Sequence, residues 1–296
     1  MEENICKKTS KNSGSIQRVP SYIDAPEKTN NHVQFTGIVV NYNEGRYLHN
    51  CLKGLAFCKQ LIVIDLGSTD ASIEIAKQYG AEIVYHKKVP IVEEVRDEAI
   101  SYAENDWIVL VDPDEVFPGH VADYLRSIII KDPKLGSINF PWQFYFKKRP
   151  LYSTVWGMNR TKKAMLHKKR NRFSSNVHRG IQLLEGYNTL ELPWITDYTI
   201  RHYWIDSYHQ LIEKHWRYIK REGESRYRTG ERFSWGWFKS ETINTLKRNL
   251  IDYKGISGGL LGIFLSGFYS LYIAMSLLSL RRYQNILKAK IDLRLI

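Results

Sequence analysis

Between residues 35 and 112 the chain repeats one pattern, a short apolar run followed by a longer stretch of mixed polarity. FTGIVV (35–40), LIVID (61–65), AEIVYH (81–86) and WIVLVD (107–112) are rich in β-branched residues and nearly continuous in hydrophobicity, as strands buried on both faces are. The segments between the runs have helical composition and length. The order βαβαβαβ is therefore expected, and right-handed crossovers then give a parallel sheet with helices on both faces. In such sheets ligands bind beyond the carboxyl ends of the strands. Each run here ends in polar residues: Asn41–Glu44, Asp65–Asp70, His86–Lys88 and Asp112–Glu115.

After Pro118 the pattern becomes irregular and aromatic, and a long helical stretch begins near Ser207 and runs through His209, His215 and Tyr218. Residues 256–280 (ISGGLLGIFLSGFYSLYIAMSLLSL) carry no charge, with Lys254 before them and Arg281 and Arg282 after. A bilayer core needs about 20 apolar residues, so the segment is long enough to cross one. Its Gly and Ser content, with Tyr269 and Tyr272 at mid-length, also suits an interfacial helix, and a buried core helix is the third reading. Residues 1–31 are polar, Ser/Lys/Asn-rich and broken by Pro20 and Pro26, which predicts a disordered arm. Residues 32–206 are read as one α/β domain with a nucleotide half (32–118) and an acceptor half (119–206). Residues 207–296 are read as a helical, membrane-associated extension.

Composition narrows the partners. The 296 residues are 43% hydrophobic, enough for a sizeable core, and carry a formal net charge of +12. No Asp or Glu occurs between Asp132 and Glu185, so the excess lies there, in Lys147, Lys148, Arg149, Arg160, Lys162, Lys163, Lys168, Lys169, Arg170 and Arg172 among others, with Trp142, Phe144 and Trp156 interleaved. Such a face suits nucleic acid, anionic lipid or a phosphorylated acceptor. Cys6, Cys51 and Cys58 form neither a CxxC pair nor a His-rich cluster, so no disulfide framework or zinc site is expected. The N-terminus has no apolar run behind its charges, which predicts no secretory signal and a cytoplasmic location at the inner face of the membrane.

The densest chemistry is DPDE at 112–115. In an extended backbone residues two apart share a side, so Asp112 and Asp114 are expected to face the crevice together while Glu115 points away. Paired carboxylates suit Mg²⁺ or Mn²⁺, whose shell is commonly completed by substrate phosphates. IDLGSTD puts Asp65 at a strand end, Gly67 and Ser68 in the turn, and Thr69 or Asp70 at a helix N-cap. NYNE after the first strand is not glycine-rich, which excludes a dinucleotide fingerprint or a P-loop. Arg96 lies on the helix that leads to DPDE. A nucleic-acid module would leave the GSTD and DPDE strand ends without a role, so nucleic acid is not an expected partner.

The ordered set VVNYNEGRYLHNCL, LIVIDLGSTDASIEIAKQYGAEIV, VRDEAISYAENDWIVLVDPDE, NVHRG and IRHYW resembles the family-2 glycosyltransferases of GT-A fold, and among them the bacterial branch similar to lipopolysaccharide-core glucosyltransferases. The resemblance implies a Rossmann-like GT-A sheet with a C-terminal helical extension. It implies that Tyr42, Glu44, Asp65, Arg96 and Asp112 line a nucleotide pocket, and that Asp112 and Asp114 form a DxD metal motif completed by His178. It further implies an inverting transfer from a nucleotide-sugar, UDP-hexose by class, to a saccharide or lipid-linked acceptor, with Mn²⁺ or Mg²⁺. Arg179 stands where that branch reads Glu, and Asp97 where it reads Asn. Inversion needs a base for the acceptor hydroxyl. With residues 133–184 free of carboxylates, Glu115 and Glu185 are the candidates, ahead of Glu191, Asp197 and Asp206. The competing readings are a sugar-phosphate nucleotidyltransferase, which would need a Gly/Arg-rich loop after the first strand, and a non-catalytic basic protein that binds nucleic acid or membrane.

Overall fold

The structure, a computed structural model, describes residues 33–89, 93–157, 160–173 and 181–292. The expected arm (1–31) and His178 lie outside the described residues. The chain forms two compact units: one comprises the residues up to Trp142 together with Thr161–His202, the other Gln143–Arg160 together with Tyr203 onward.

The first unit opens with β1 (Phe35–Asn41), α1 (Gly45–Gly54), β2 (Gln60–Asp65), α2 (Ser72–Gln78), β3 (Glu82–Tyr85), α3 (Glu93–Ser101) and β4 (Trp107–Val111). β1 pairs in parallel with both β2 and β4, and β2 with β3, as the four apolar runs predict. Alternate strand residues feed two separate cores. Phe35, Val39, Val63, Val109 and Val111 pack with Leu48 and Leu52 of α1 and Ala76 of α2. Ile38, Ile62, Ile64, Ile108 and Leu110 pack with Val95, Ala99 and Ile100 of α3. Both strand faces are covered, which is why the runs show no polar alternation.

Past Pro118 the irregular pattern conceals regular structure. After β5 (Glu115–Val116) come α4 (Ala122–Lys131) and β6 (Leu135–Phe146), then β7 (Arg149–Pro150), β8 (Thr161–His167), β9 (Asn171–Arg172), β10 (Gln182–Leu183), β11 (Asn188–Glu191) and β12 (Ile200–Ile205). The sheet runs β3-β2-β1-β4-β8-β6-β12-β5 and turns antiparallel at β4–β8. The 12 residues of β6 include Pro141 and are buried on both sides for most of their length, so they carry no period of two.

The second unit joins β7 and the ends of β6 and β12 to three helices, α5 (Tyr208–Arg228), α6 (Trp235–Lys247) and α7 (Gly259–Asp292). Ser207 caps α5 by accepting from the Gln210 N–H at 3.1 Å, so the helix starts where the sequence places it. Residues 153–156 belong to this unit because the Thr154 N–H donates to the Tyr253 carbonyl at 2.7 Å and the Trp156 ring packs on Trp204 at 4.6 Å and on Tyr269 at 5.2 Å. α7 is tied to α5 at mid-length. A buried Glu222–Arg226 pair (3.2 Å) meets it there: Tyr272 and Ser276 each donate to Glu222 at 3.0 Å, and Arg226 donates to Ser276 at 2.6 Å. Gly223 permits this approach, since a Cβ there would run into the Ser279 carbonyl. By length and composition the helix over Ile256–Lys290 can cross a membrane, but half of its most apolar window is buried in the protein.

Candidate active site

Asp65 ends β2 with a buried side chain. Its Oδ2 accepts from the N–H groups of Gly67 (3.0 Å) and Ser68 (2.9 Å), an arrangement that Gly67 permits by adopting a φ of 87°. Its Oδ1 is buried and has no hydrogen-bond partner among the described residues, so the carboxylate keeps one acceptor in hand. The loop after β2 is stapled to the loop after β1. Asn43, at φ 53°, accepts from the Thr69 N–H at 2.7 Å and gives its own N–H to Ser68 Oγ at 2.9 Å. Asp70 takes the Gly45 N–H at 2.9 Å and the Ser72 N–H at 3.1 Å. Partial burial opposes ionisation of Asp70, but the Ser72 hydroxyl, which also donates to it, and then these backbone bonds outweigh burial and hold the carboxyl below the usual carboxylate range. The N-cap of α2 is Ala71, not Thr69 or Asp70 as expected; Asp70 stands one residue further out and bonds the first residue of the helix through an Asx-type turn. Tyr42 is partly exposed, with the Lys88 ammonium 3.7 Å above its ring. Glu44 sits at the start of α1, 3.8 Å from Arg46.

The DPDE segment departs from the expected geometry. It is a turn, closed by the Glu115 N–H donating to the Asp112 carbonyl at 2.9 Å, with Pro113 at a position its fixed φ suits. Glu115 consequently folds back instead of pointing away: its Oε2 accepts from the Asp112 N–H at 2.8 Å, and its side chain is fully buried. Asp112 is gripped by Arg96 at 2.5 Å on one oxygen and by Lys162 at 3.2 Å on the other, and Lys162 also pairs with Glu115. Asp114 diverges to His202, whose Nε2 lies 3.2 Å from its Oδ2. Trp142 stacks on His202 at 5.0 Å with the rings 2° from parallel, and the Lys162 ammonium lies 5.5 Å from the Trp142 ring.

The electrostatics follow from this packing. Burial opposes ionisation of Asp112, but Lys162, Arg96 and His202 outweigh it and hold the carboxyl well below the usual range. Glu115 goes the other way: burial raises it and Lys162 only partly compensates. Lys162 is raised, because the pull of Asp112 and Glu115 exceeds the cost of burial. The Cys51 thiol beneath the turn is pushed up by burial and then by the three carboxylates, which makes it inert.

Of the residues named from sequence, Asp112, Asp114, Glu115 and Arg96 come together, while Asp65 sits in the stapled loop pair. Glu115 is fully buried, with its Oε2 engaged by Lys162 and the Asp112 N–H. Glu185 lies exposed in the turn after β10, which pairs with β9. The basic run at 168–170 is engaged locally: Lys168 donates to the Ala103 carbonyl (2.6 Å), Lys169 pairs with Asp106 (3.1 Å) and Arg170 donates to the Leu135 carbonyl (2.6 Å). Two residues to which the sequence reading gives no site role, His202 reading there as a structural histidine, complete the site. Lys162 was one cation among many, yet continuing the β4–β8 register by three residues brings it opposite Asp112. His202 lies in register with Glu115 across β12–β5. Asp114 and His202 supply one carboxylate oxygen and one imidazole nitrogen; the oxygen suits Mn²⁺ or Mg²⁺, and the nitrogen favours Mn²⁺ over Mg²⁺. Among the described residues no group of three or more His, Cys, Asp or Glu gathers as a metal cage, so diphosphate oxygens would have to complete the shell.

The family described as glycosyl transferase family 2 matches residues 36–183, half of the chain. The SPbeta prophage-derived glycosyltransferase SunS of Bacillus subtilis is 30% identical over 120 residues, 38% of this chain and 28% of that protein. The uncharacterized glycosyltransferase YibD of Escherichia coli is 28% identical over 116 residues, 36% of this chain and 34% of that protein. The matched region thus spans about a third or less of these curated relatives. A solved structure of S. aureus TarS aligns at 22% identity with a TM-score of 0.34, covering 38% of this chain and 36% of that one.

Proposed function

The chain belongs to glycosyl transferase family 2, and from that premise we propose that it is an inverting, metal-dependent hexosyltransferase. Its donor is a nucleotide-sugar, UDP-hexose by class. Its acceptor is a saccharide of lipopolysaccharide or another cell-surface glycan, free or lipid-linked, met at the inner face of the cell membrane. The observation that carries this reading is the split of the acidic turn at the end of β4: Asp112 is held by Arg96 and Lys162, while Asp114 is turned to His202.

Each part then has a role. Tyr42 takes the nucleoside by stacking, and Asp65, whose unused Oδ1 is buried, would accept a base N–H or ribose hydroxyl only where the ligand displaces the side chains that cover it. Arg96 and Lys162 fix Asp112 as an ionised group at the ribose–diphosphate side and add positive charge where the leaving group departs. Asp114 and His202 would hold a divalent ion, which would supply charge neutralisation at the departing diphosphate. Glu115 positions Lys162 and the Asp112 backbone; it does not touch substrate.

Nucleotide release from a panel of sugar nucleotides with Mn²⁺ tests the reading. Transfer to, or hydrolysis in the absence of, a saccharide acceptor is the expected result. Pyrophosphorolysis in its place would establish a nucleotidyltransferase, and inertness toward every donor would overturn the assignment of an active transferase.

A further inference from the structure

The α6–α7 hairpin carries two features that sugar transfer does not use. At its open end lies a cavity of about 500 Å³ whose cations are Arg232, Arg281 and Lys288 and whose aromatic walls are Tyr227, Phe233 and Trp235; no acidic residue lines it. Arg281 lies over Trp235 at 4.7 Å, and Arg232 over Tyr227 at 3.9 Å. Arg232 gives its N–H groups to the Tyr227 and Glu231 carbonyls, and neither Arg281 nor Lys288 has a carboxylate within ion-pair reach among the described residues. α6 begins at Trp235, so the positive end of its dipole adds to the same charge. Three cations without counter-charge around one hollow repel each other, and a phosphate anion relieves that repulsion.

The second feature is apolar. Leu260, Phe264 and Leu271 lie four and seven residues apart on α7, on one helix face, and all are exposed. On α6, Trp235 and Ile243 are exposed beside Lys239 and Lys247. Between Trp235 and Lys290 the chain has eight Lys or Arg and two acidic residues. The opposite side of α7 is committed to the protein. Leu265, Ile273, Leu277 and Leu280 are buried, Ser270 donates to the Thr242 carbonyl at 2.8 Å, and Tyr272 and Ser276 are bound to Glu222. A helix with a charged pair bonded to its middle is a core helix with one bare face. That face can lie in a bilayer interface without crossing it.

We propose that the α6–α7 hairpin docks the protein flat on an anionic bilayer, with the cavity taking a phospholipid headgroup phosphate between Arg232, Arg281 and Lys288. The apolar face enters the acyl boundary, Trp235 sits at headgroup depth, and Lys239 and Lys247 face the lipid phosphates. The proposal deepens the membrane location in the function proposed above, and its test does not use the transfer reaction.

The test is co-sedimentation of the full chain with vesicles of phosphatidylglycerol and phosphatidylcholine, against pure phosphatidylcholine. Wild type should pellet with the anionic vesicles at low salt. Each cation near such a surface is worth roughly fivefold in binding, so R281Q/K288Q should bind about thirtyfold more weakly. Leu271→Asp, at an exposed site, should lose the part of binding that survives high salt. Circular dichroism and UDP binding should match wild type in both variants, which separates a docking defect from misfolding and from any failure of the donor site. Wild type that ignores anionic vesicles, or variants that bind them equally well, would overturn the proposal. So would inorganic phosphate protecting wild type from heat while vesicles leave it in solution, which would reassign the cavity to a soluble phosphate compound.

Discussion

The Lys162 ammonium lies 3.2 Å from the carboxylate of Asp112 and also pairs with the buried Glu115, so one lysine neutralises two of the three acids in the turn at the end of β4. Removing it leaves Glu115 as an uncompensated buried charge. Lys162→Met should therefore cost about 3 kcal/mol in urea unfolding, in the range for breaking a buried pair. Adding Glu115→Gln should recover much of that loss, because the stranded charge goes with it. A single variant as stable as wild type would show that the pair carries no structural load.

Asp114→Asn should leave the fold intact, since the amide keeps the shape of the carboxylate and can still hydrogen-bond His202. It should reduce Mn²⁺-dependent UDP binding and sugar transfer by at least roughly a hundredfold, since loss of a residue that merely supports a metal ligand already costs about ten- to a hundredfold. Isothermal titration with and without Mn²⁺ reads this directly. Unchanged Mn²⁺ dependence would remove Asp114 from the metal assignment.

Asp65→Ala should weaken uridine monophosphate and UDP alike, because the proposed contact is to the nucleoside. Asp114→Asn should spare the monophosphate. The two variants are thus distinguished by one ligand that carries no diphosphate. Equal monophosphate affinity in Asp65→Ala and wild type would place the nucleoside elsewhere.

His215 gives the helical unit a pH-dependent stability. Its Nδ1–H donates to the Leu211 carbonyl at 2.7 Å, and the rings of Trp156, Trp204, Tyr218, Phe268 and Tyr272 surround it. Burial pushes its pKa down to about 4; the backbone bond opposes the shift and the Lys214 charge adds to it. The unfolded chain takes up the proton first, near pH 6.5, so stability is full above that pH and falls as pH drops toward about 4. The loss is at most about 3 kcal/mol by linkage. Thermal unfolding of wild type and His215→Asn across this range checks it: the variant should lose most of the slope.

The parallel half of the sheet was legible because β1, β2 and β4 are covered on both faces, so hydrophobicity alone marks them. The start of α5 was legible because Ser207 does locally what an N-cap does. β6 was not, since Pro141 and burial on both sides remove any alternation. The acidic residues of the site were legible as a cluster, but their directions were not. An extended reading of DPDE sends Glu115 outward, whereas the turn at Pro113 sends it back beneath Asp112. Lys162 and His202 reach the site through antiparallel register, a long-range property that no local window contains.

The staples between the first two strand-end loops bear on how such a site can diversify. Asn43 with Ser68 and Thr69, and Asp70 with Gly45, make the two loops one rigid piece, so a nucleoside bound there as proposed would meet a surface already largely ordered. An insertion or deletion in either loop would break bonds made by the other. Engineering or natural drift toward a different base is therefore channelled into side-chain exchanges at Tyr42, Glu44 and Lys88, with loop lengths held fixed.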